Sequence, residues 1–318
     1  MIWLIGTGPM AQAYYKVLAH LQVDTIIIGR SEAGCNSFKQ HTDCRARVVS
    51  GGIDSFLATS PQIPQHVIVA VDITALKSVT LSLLHYGAAN ILLEKPGGLF
   101  ASDIKQMQDC AALHNSNVLV GYNRRFFPSV LKARECIAHD GGVNTVMLDI
   151  TEWSSRIDSL ALPREVKNRW LIANTSHVFD TAFFLAGEPV SLTPHVKGGL
   201  SWHPSASVLA GTGNTECGAL MVYHGDWTSA GRWGIELTTA KRRLRLCPME
   251  SLEQQSKDEL NWNVILLKSE GEGLKTGLLN QTKAFLNQDF ADFCTLAVQR
   301  NRIAQLETMG NYSSNNGQ

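Results

Sequence analysis

Four clusters of residues carry side chains at spacings that can do chemistry. The first is Gly6-Thr7-Gly8-Pro9-Met10-Ala11, set directly after the apolar run Ile2-Trp3-Leu4-Ile5. A GxGxxA turn between a strand and a helix suits a pyrophosphate. Gly6 permits the tight turn, Gly8 lets phosphates approach the backbone, and small Ala11 lets the helix pack on the strand. Pro9 fits the first helical turn, where its missing N–H would have had no partner. The free N–H groups and positive dipole of that helix start favour anions, so Gly6, Thr7, Gly8, Pro9 and Met10 are expected to hold a dinucleotide. The second cluster, Gly29-Arg30-Ser31, follows the run Thr25–Ile28. About 20 residues beyond such a glycine turn, an acidic residue would hold the ribose hydroxyls of NAD(H). Arg30 and Ser31 can instead pair with a 2′-phosphate, which predicts NADP(H) ahead of NAD(H).

The third cluster is Glu94-Lys95-Pro96-Gly97-Gly98, just past the apolar stretch 91–93. A lysine at the carboxyl end of a buried parallel strand sits on the ligand edge of such a sheet, and a neighbouring cationic nicotinamide would lower its pKa. Lys95 could then shuttle the proton of a hydroxyl being oxidised. In the fourth cluster, His177 follows Asn174-Thr175-Ser176 and opens an apolar helical pattern. In a first helical turn the dipole keeps an imidazole neutral and able to accept a proton. Asp180 falls on the same helical face, placed to fix the ring or bind a hydroxyl. Asn174 can bind a substrate hydroxyl but cannot exchange a proton. Trp170 and Arg169 are expected to line a sugar pocket, the indole against the apolar side of a pyranose.

Elements that would position these groups are legible in the hydrophobic pattern. Ile2–Ile5, Thr25–Ile28 and the stretches 67–71, 91–93 and 118–120 are short, apolar and largely without alternation, separated by helical patterns. That predicts an N-terminal doubly wound (Rossmann) parallel sheet covered on both faces. Val71, closing the third of these strands, is expected beside the cofactor, and Asp72 to cap a helix. Beyond Tyr122 the texture changes: six of the seven tryptophans lie there, with longer strand-like stretches at 145–151, 218–224 and 233–239. A second α/β domain with an open, largely antiparallel or mixed sheet is expected. The division is 1–121 and 122–318, with a flexible tail from 310. Helices are expected at 177–186, stopped by Gly187 and Pro189, and across Leu278–Leu286.

Composition narrows the classes further. The 28 basic and 28 acidic residues cancel, and 44% of the chain is hydrophobic. A phosphate-neutralising nucleic-acid binder and a disordered chain are both disfavoured. The seven cysteines are scattered without a CxxC pair, which predicts reduced packing residues, and no histidine spacing suggests a metal. The opening apolar run is too short for a signal peptide and no stretch is long enough to span a membrane, so the expected location is cytoplasmic.

GTGPMA, EKPGG, GYNRRF (Gly121 to Phe126) and HVFD (His177 to Asp180) occur in an order and spacing that resemble the Gfo/Idh/MocA oxidoreductases. The resemblance implies NAD(P)-dependent hydride transfer on a sugar, nucleotide-sugar or polyol, by a homo-oligomer (dimer or tetramer) assembled through the open sheet. It implies Lys95 as the catalytic lysine and His177 as the catalytic histidine. Glu94 and Pro96 match residues that shape the cofactor edge. Asn123 and Arg124 would lie by the cofactor, and Tyr122, Arg125, Trp170, Asn174, His177, Asp180 and Lys95 by the substrate. One departure matters: many members carry an aspartate four residues before the histidine, where this chain has Ala173. A non-catalytic NAD(P)-binding sensor or scaffold, or a reductase of a cyclic non-sugar substrate, are the competing readings.

Overall fold

The computed structural model describes residues 1–268 and 271–312, which divide into two compact units. The first is Met1–Asn123 with Glu270–Arg302; the second is Arg124–Ser269 with Ile303–Gln318. This differs from the expected single crossing after 121. The reason is in the pairing: Cys294–Thr295 adds an antiparallel edge to the first unit's sheet, opposite Val120 and Leu119. The helix Leu278–Leu286 packs on the helix Pro9–His20 of the same unit, where the Tyr14 hydroxyl donates to Gln281 Oε1 at 2.9 Å.

The first unit is built on β1 (Ile2–Ile5), β2 (Thr25–Ile28), β3 (Arg47–Val49), β4 (His66–Val69), β5 (Asn90–Glu94) and β6 (Asn117–Gly121). Their order is β6-β5-β4-β1-β2-β3, all parallel. This is the doubly wound arrangement expected, with β3 added to the sequence reading. The strands β1, β4 and β5 are buried along their whole length because helices cover both faces. In this order the turns after β5, β4, β1 and β2 all open on one edge.

The second unit carries β7 (Thr145–Asp149), β8 (Pro189–Lys197), β9 (Val208–Thr215), β10 (Leu220–Asp226), β11 (Gly234–Thr238), β12 (Arg242–Leu246), β13 (Glu253–Ser256) and β14 (Asn263–Val264). They form one sheet in the order β14-β13-β12-β11-β7-β10-β9-β8, in which only β7 and β10 run parallel. Burial alternates along β7 and β10, so one face of the sheet is packed while the other exposes Met147 and Val222. The helix Ser176–Ala186 is buried on nearly every side, which is why its sequence is mostly apolar. Among the described residues no helix is long and apolar enough to cross a membrane, and all seven cysteines are free.

The expected flexible tail is docked through Tyr312; residues 313–318 lie outside the described part. The Tyr312 hydroxyl accepts from the Leu171 N–H at 3.0 Å and pairs with His203 Nε2 at 2.8 Å, while His203 Nδ1 meets the Ala206 carbonyl at 2.6 Å. Nδ1–H therefore donates to the carbonyl, and the phenol donates to Nε2. Burial depresses the His203 pKa to about 4, so the ring is neutral in the fold. A depressed histidine pKa gives stability that is present above the unfolded value near 6.5 and is lost as pH falls toward 4. Wild-type stability should drop across that window by on the order of 3 kcal/mol more than that of His203→Gln. Urea midpoints at pH 4.5, 5.5 and 7 test this; parallel pH dependences in the two proteins would contradict it.

Candidate active site

In the first unit, the glycine turn after β1 has the shape the spacing requires. Gly6 has φ +119°, and a Cβ there would lie 2.2 Å from the Ala70 carbonyl oxygen and 3.3 Å from the Val71 nitrogen. Gly8 caps the helix Pro9–His20 without a side-chain hydrogen bond, and nothing lies within 4 Å of where its Cβ would be. The helix start is thus bare and faces open space, as a phosphate group would need. Val71 lies just past β4 against this turn, and Asp72 takes the expected cap role by accepting from the Thr74 N–H at 3.1 Å. At the end of β2, Arg30 is exposed. Ser31 caps the helix Glu32–Thr42, its oxygen accepting from the Gly34 N–H at 3.2 Å, which leaves its O–H to donate.

Lys95 follows the last residue of β5. The Glu94 carboxyl beside it is buried, and desolvation pushes its pKa up against the opposing pull of the Lys95 charge, the Tyr14 hydroxyl and Lys275. The Pro96 carbonyl accepts from Gln299 Nε2 at 2.9 Å, and the same amide reaches the Tyr122 hydroxyl at 3.1 Å. Asn123 Nδ2 donates to the Thr276 carbonyl at 3.0 Å. The Lys95 loop is therefore braced by residues from the late segment that the sequence reading assigned to the other domain. Gln299 and Gln281 were not anticipated, since a lone glutamine in a helix carries no signal of its partner. Tyr122, expected against substrate, is buried with its hydroxyl on Gln299; it braces the turn.

The second unit holds a cavity of about 480 Å³ lined by Arg124, Thr151, Glu152, Trp153, Arg156, Ile157, Leu160, Trp170, Asn174, Arg232 and Trp233. Trp170, Asn174 and Arg124 were singled out by sequence; Glu152, Trp153 and Trp233 were not. Glu152 follows β7 and is buried, its Oε1 accepting from Thr175 Oγ1 at 2.6 Å and Asn174 Nδ2 at 3.2 Å. It supplies a carboxylate to the wall that includes Asn174, next in sequence to Ala173. Trp153 is pinned by Nε1–H donating to the Gly231 carbonyl at 2.9 Å, which leaves its exposed ring on the cavity. Arg169, expected to line the pocket, instead pairs with Glu307 and stacks on Tyr312.

His177 is mostly buried, with its ring 6.3 Å from that of Trp233. Its helix does not start freely. The chain is already helical from Trp170 through the π-turn Leu171–Thr175, so the helix start invoked to keep His177 neutral lies about two turns upstream. Arg125 and Asp180, both expected beside substrate, meet each other. Arg125 Nε donates to Asp180 Oδ2 at 2.9 Å and Nη2 to Oδ1 at 2.8 Å, with both side chains buried. This pair fastens the turn Asn123–Phe126, within the second unit from Arg124 on, to the buried helix, and occupies the groups expected to meet substrate.

Three further groups that no sequence spacing pointed to also come together. His85, Cys110 and His114 bring their ligand atoms within 4.8 Å of one another in the first unit, with Cys110 Sγ 3.6 Å from His85 Nε2. They stand where the helices Leu76–Tyr86 and Ala101–Leu113 end, on the sheet edge away from Lys95.

No family model matches the chain. Over 192 residues it is 24% identical to the rhizopine catabolism protein MocA of Rhizobium meliloti, a stretch covering 58% of this chain and 56% of that protein. The match therefore spans little more than half the relative's length. The fold is that of UDP-N-acetylglucosamine 3-dehydrogenase GnnA from Acidithiobacillus ferrooxidans (TM-score 0.75, 15% identity, 98% of this chain and 96% of that one). The chain is thus similar in part of its sequence to MocA and in fold to this dehydrogenase. An oxidoreductase from Agrobacterium radiobacter, in complex with NAD+, L-tartaric acid and magnesium, also superposes (TM-score 0.78, 15% identity, 99% and 96% covered). So does levoglucosan dehydrogenase in complex with NADH and L-sorbose (TM-score 0.78, 15% identity, 98% and 95% covered).

Two stability outcomes follow from this geometry. Gly6→Ala should cost about 3 kcal/mol or more, because the new methyl meets backbone at a positive φ, whereas Gly8→Ala should melt within about 2 °C of wild type. Asp180→Asn should cost about 3–5 kcal/mol by leaving a buried guanidinium uncompensated. Thermal and urea unfolding check both; an Asp180→Asn protein as stable as wild type would show the pair to be dispensable.

Proposed function

We propose that the chain is a nicotinamide-dependent oxidoreductase that moves a hydride to or from a sugar or nucleotide-sugar carbon bearing a hydroxyl or carbonyl. The observation that carries this reading is the shared sheet edge of the first unit. With the order β5-β4-β1-β2, Lys95 and the bare glycine turn are separated by one strand, about 10 Å at the usual spacing, and Arg30 follows one strand further. A dinucleotide laid along that edge would put its pyrophosphate at Gly6–Met10, its adenosine phosphate at Arg30 and Ser31, and its nicotinamide toward Val71 and Lys95. Gly8, with nothing where a side chain would stand, fits that group.

When bound, the nicotinamide supplies or takes the hydride at its C4. Lys95 would hold or move the proton of the reacting oxygen, with His177 assisting. Glu94, buried below Lys95, and Asn123 and Arg124 would shape the cofactor's surroundings. In the second unit, Trp170 offers a ring face to a pyranose, while Asn174 and the carboxylate of Glu152 are placed to meet its hydroxyls. Asp180 and Arg125 support this arrangement through their pairing. The absence of a carboxylate at Ala173 is what favours the second reading, a dinucleotide-binding sensor without turnover.

Lys95→Ala should lower kcat by about 10²–10⁴-fold on any substrate the wild type turns over, with cofactor binding retained. Full turnover by that variant would remove the lysine from the chemistry, and absence of turnover by wild type across sugars, polyols and nucleotide-sugars would favour the sensor. Fluorescence titration should show NADPH binding tighter than NADH, with the gap closed in Arg30→Ala; tighter NADH binding by wild type would overturn the cofactor preference.

A further inference from the structure

The cavity of the second unit gathers charge that a neutral sugar would not use. Arg124, Arg156 and Arg232 line it against the single carboxylate of Glu152, a surplus of two positive charges in a chain whose formal charge is zero. Glu152 is already engaged by Asn174 and Thr175. Among the described residues none of the three arginines forms an ion pair with a carboxylate. Two of them lie over indoles instead: the Arg124 guanidinium carbon is 4.9 Å from the Trp233 ring centre, and that of Arg156 is 5.2 Å from the ring of Trp153. A cation held over a ring face keeps its charge and its N–H groups to donate. Arg124 Nε is buried without a hydrogen-bond acceptor among the described residues, and burial lowers the pKa of this group against the pull of Glu250 and Glu152.

We propose that this cavity takes a carbohydrate that carries an oxyanion, a carboxylate or a phosphate, read by Arg156 and Arg232 at the rim while the sugar ring lies on Trp153, Trp170 and Trp233. The proposal names the substrate class of the oxidoreductase reading and rests on it for the reaction. The guanidiniums favour a charged carbohydrate over a neutral one, and the indole and the cavity volume fit a sugar of either kind. Like charges sharing a cavity repel until an anion arrives between them, and the fork of donors on each guanidinium matches two oxygens of one carboxylate or phosphate. The exposed Trp153 is held in place by its bond to Gly231, so its ring face costs little to order on binding. A volume of about 480 Å³ also lies within the usual range for small-molecule sites.

Binding to the full chain, with and without NADPH, is measured by tryptophan fluorescence or calorimetry for D-glucose, D-glucuronate, D-glucose 6-phosphate and inorganic phosphate. One of the two anionic sugars should bind at least about ten-fold tighter than glucose at low salt, with the advantage shrinking in 0.5 M salt as exposed charges are screened. Whether glucuronate or glucose 6-phosphate leads tells carboxylate from phosphate. In the double variant Arg156→Gln/Arg232→Gln the affinities for anionic and neutral sugars should converge; both residues are exposed, and an unchanged melting temperature confirms folding. Glucose binding as tightly as both sugar anions, failure of both anions to bind, or a double variant that keeps the preference would overturn the proposal. Inorganic phosphate binding as tightly as glucose 6-phosphate would overturn its carbohydrate part. Because the readout is binding, a preference for sugar anions without turnover upholds the site and sinks the oxidoreductase reading, while turnover of neutral sugars without that preference does the reverse.

Discussion

Asp180 is fully buried and both its oxygens are taken by the guanidinium of Arg125, a pairing whose attraction is largely offset by the cost of removing two ions from water. Its contribution is register rather than net stability. Asp180 sits in the middle of a helix buried on nearly every side, whose polar side chains Ser176, His177, Asp180 and Thr181 share one face. Fixing that residue fixes His177 almost one turn earlier on the same face. Fixing Arg125 in turn directs its chain neighbour Arg124 onto Trp233. That indole has Arg124 over its ring and His177 6.3 Å away, so one buried contact orders a cation, an aromatic plane and an imidazole together.

The same logic separates what could be read from residues in order from what could not. Continuous apolar strands, the glycine turn and the lysine after β5 are local signals, and the parallel sheet they imply is present with its strands in the doubly wound order. The stop of the helix at Gly187 was equally local, since the glycine adopts φ +90° there. What was illegible depends on partners distant in the chain. Gln299 acquires meaning only beside the Pro96 carbonyl, 203 residues away, and Glu152 only when Asn174 and Thr175 turn toward it. Arg125 and Asp180 looked like ligand-binding groups because a charged residue near a functional motif is ambiguous until its own partner is known. His85 and Cys110 are 25 residues apart and come together because two helices of the same unit end side by side.

Charge neutrality of the whole chain conceals a strongly uneven distribution. The bare start of the helix Pro9–His20 offers unpaired backbone N–H groups, and the cavity of the second unit offers guanidiniums held over indoles. These are two different ways of making a positive surface, one from peptide dipoles and one from side chains. The first needs only a glycine that leaves the backbone uncovered. The second needs aromatic residues that keep long cations extended without neutralising them.

The edge strand Cys294–Thr295 also bears on how the chain is made. Six parallel strands are complete once β6 has left the ribosome, but the outer edge of β6 remains open until residues 294 and 295 arrive to pair with it. At a synthesis rate of 5–20 residues per second that delay is roughly 10–35 s. During it an unpaired strand edge is exposed to other nascent chains, and the loop of Lys95 lacks its brace from Gln299. The first unit thus begins to assemble first yet is completed only after most of the second has been made, and in that interval its open edge is a site for a chaperone to cover.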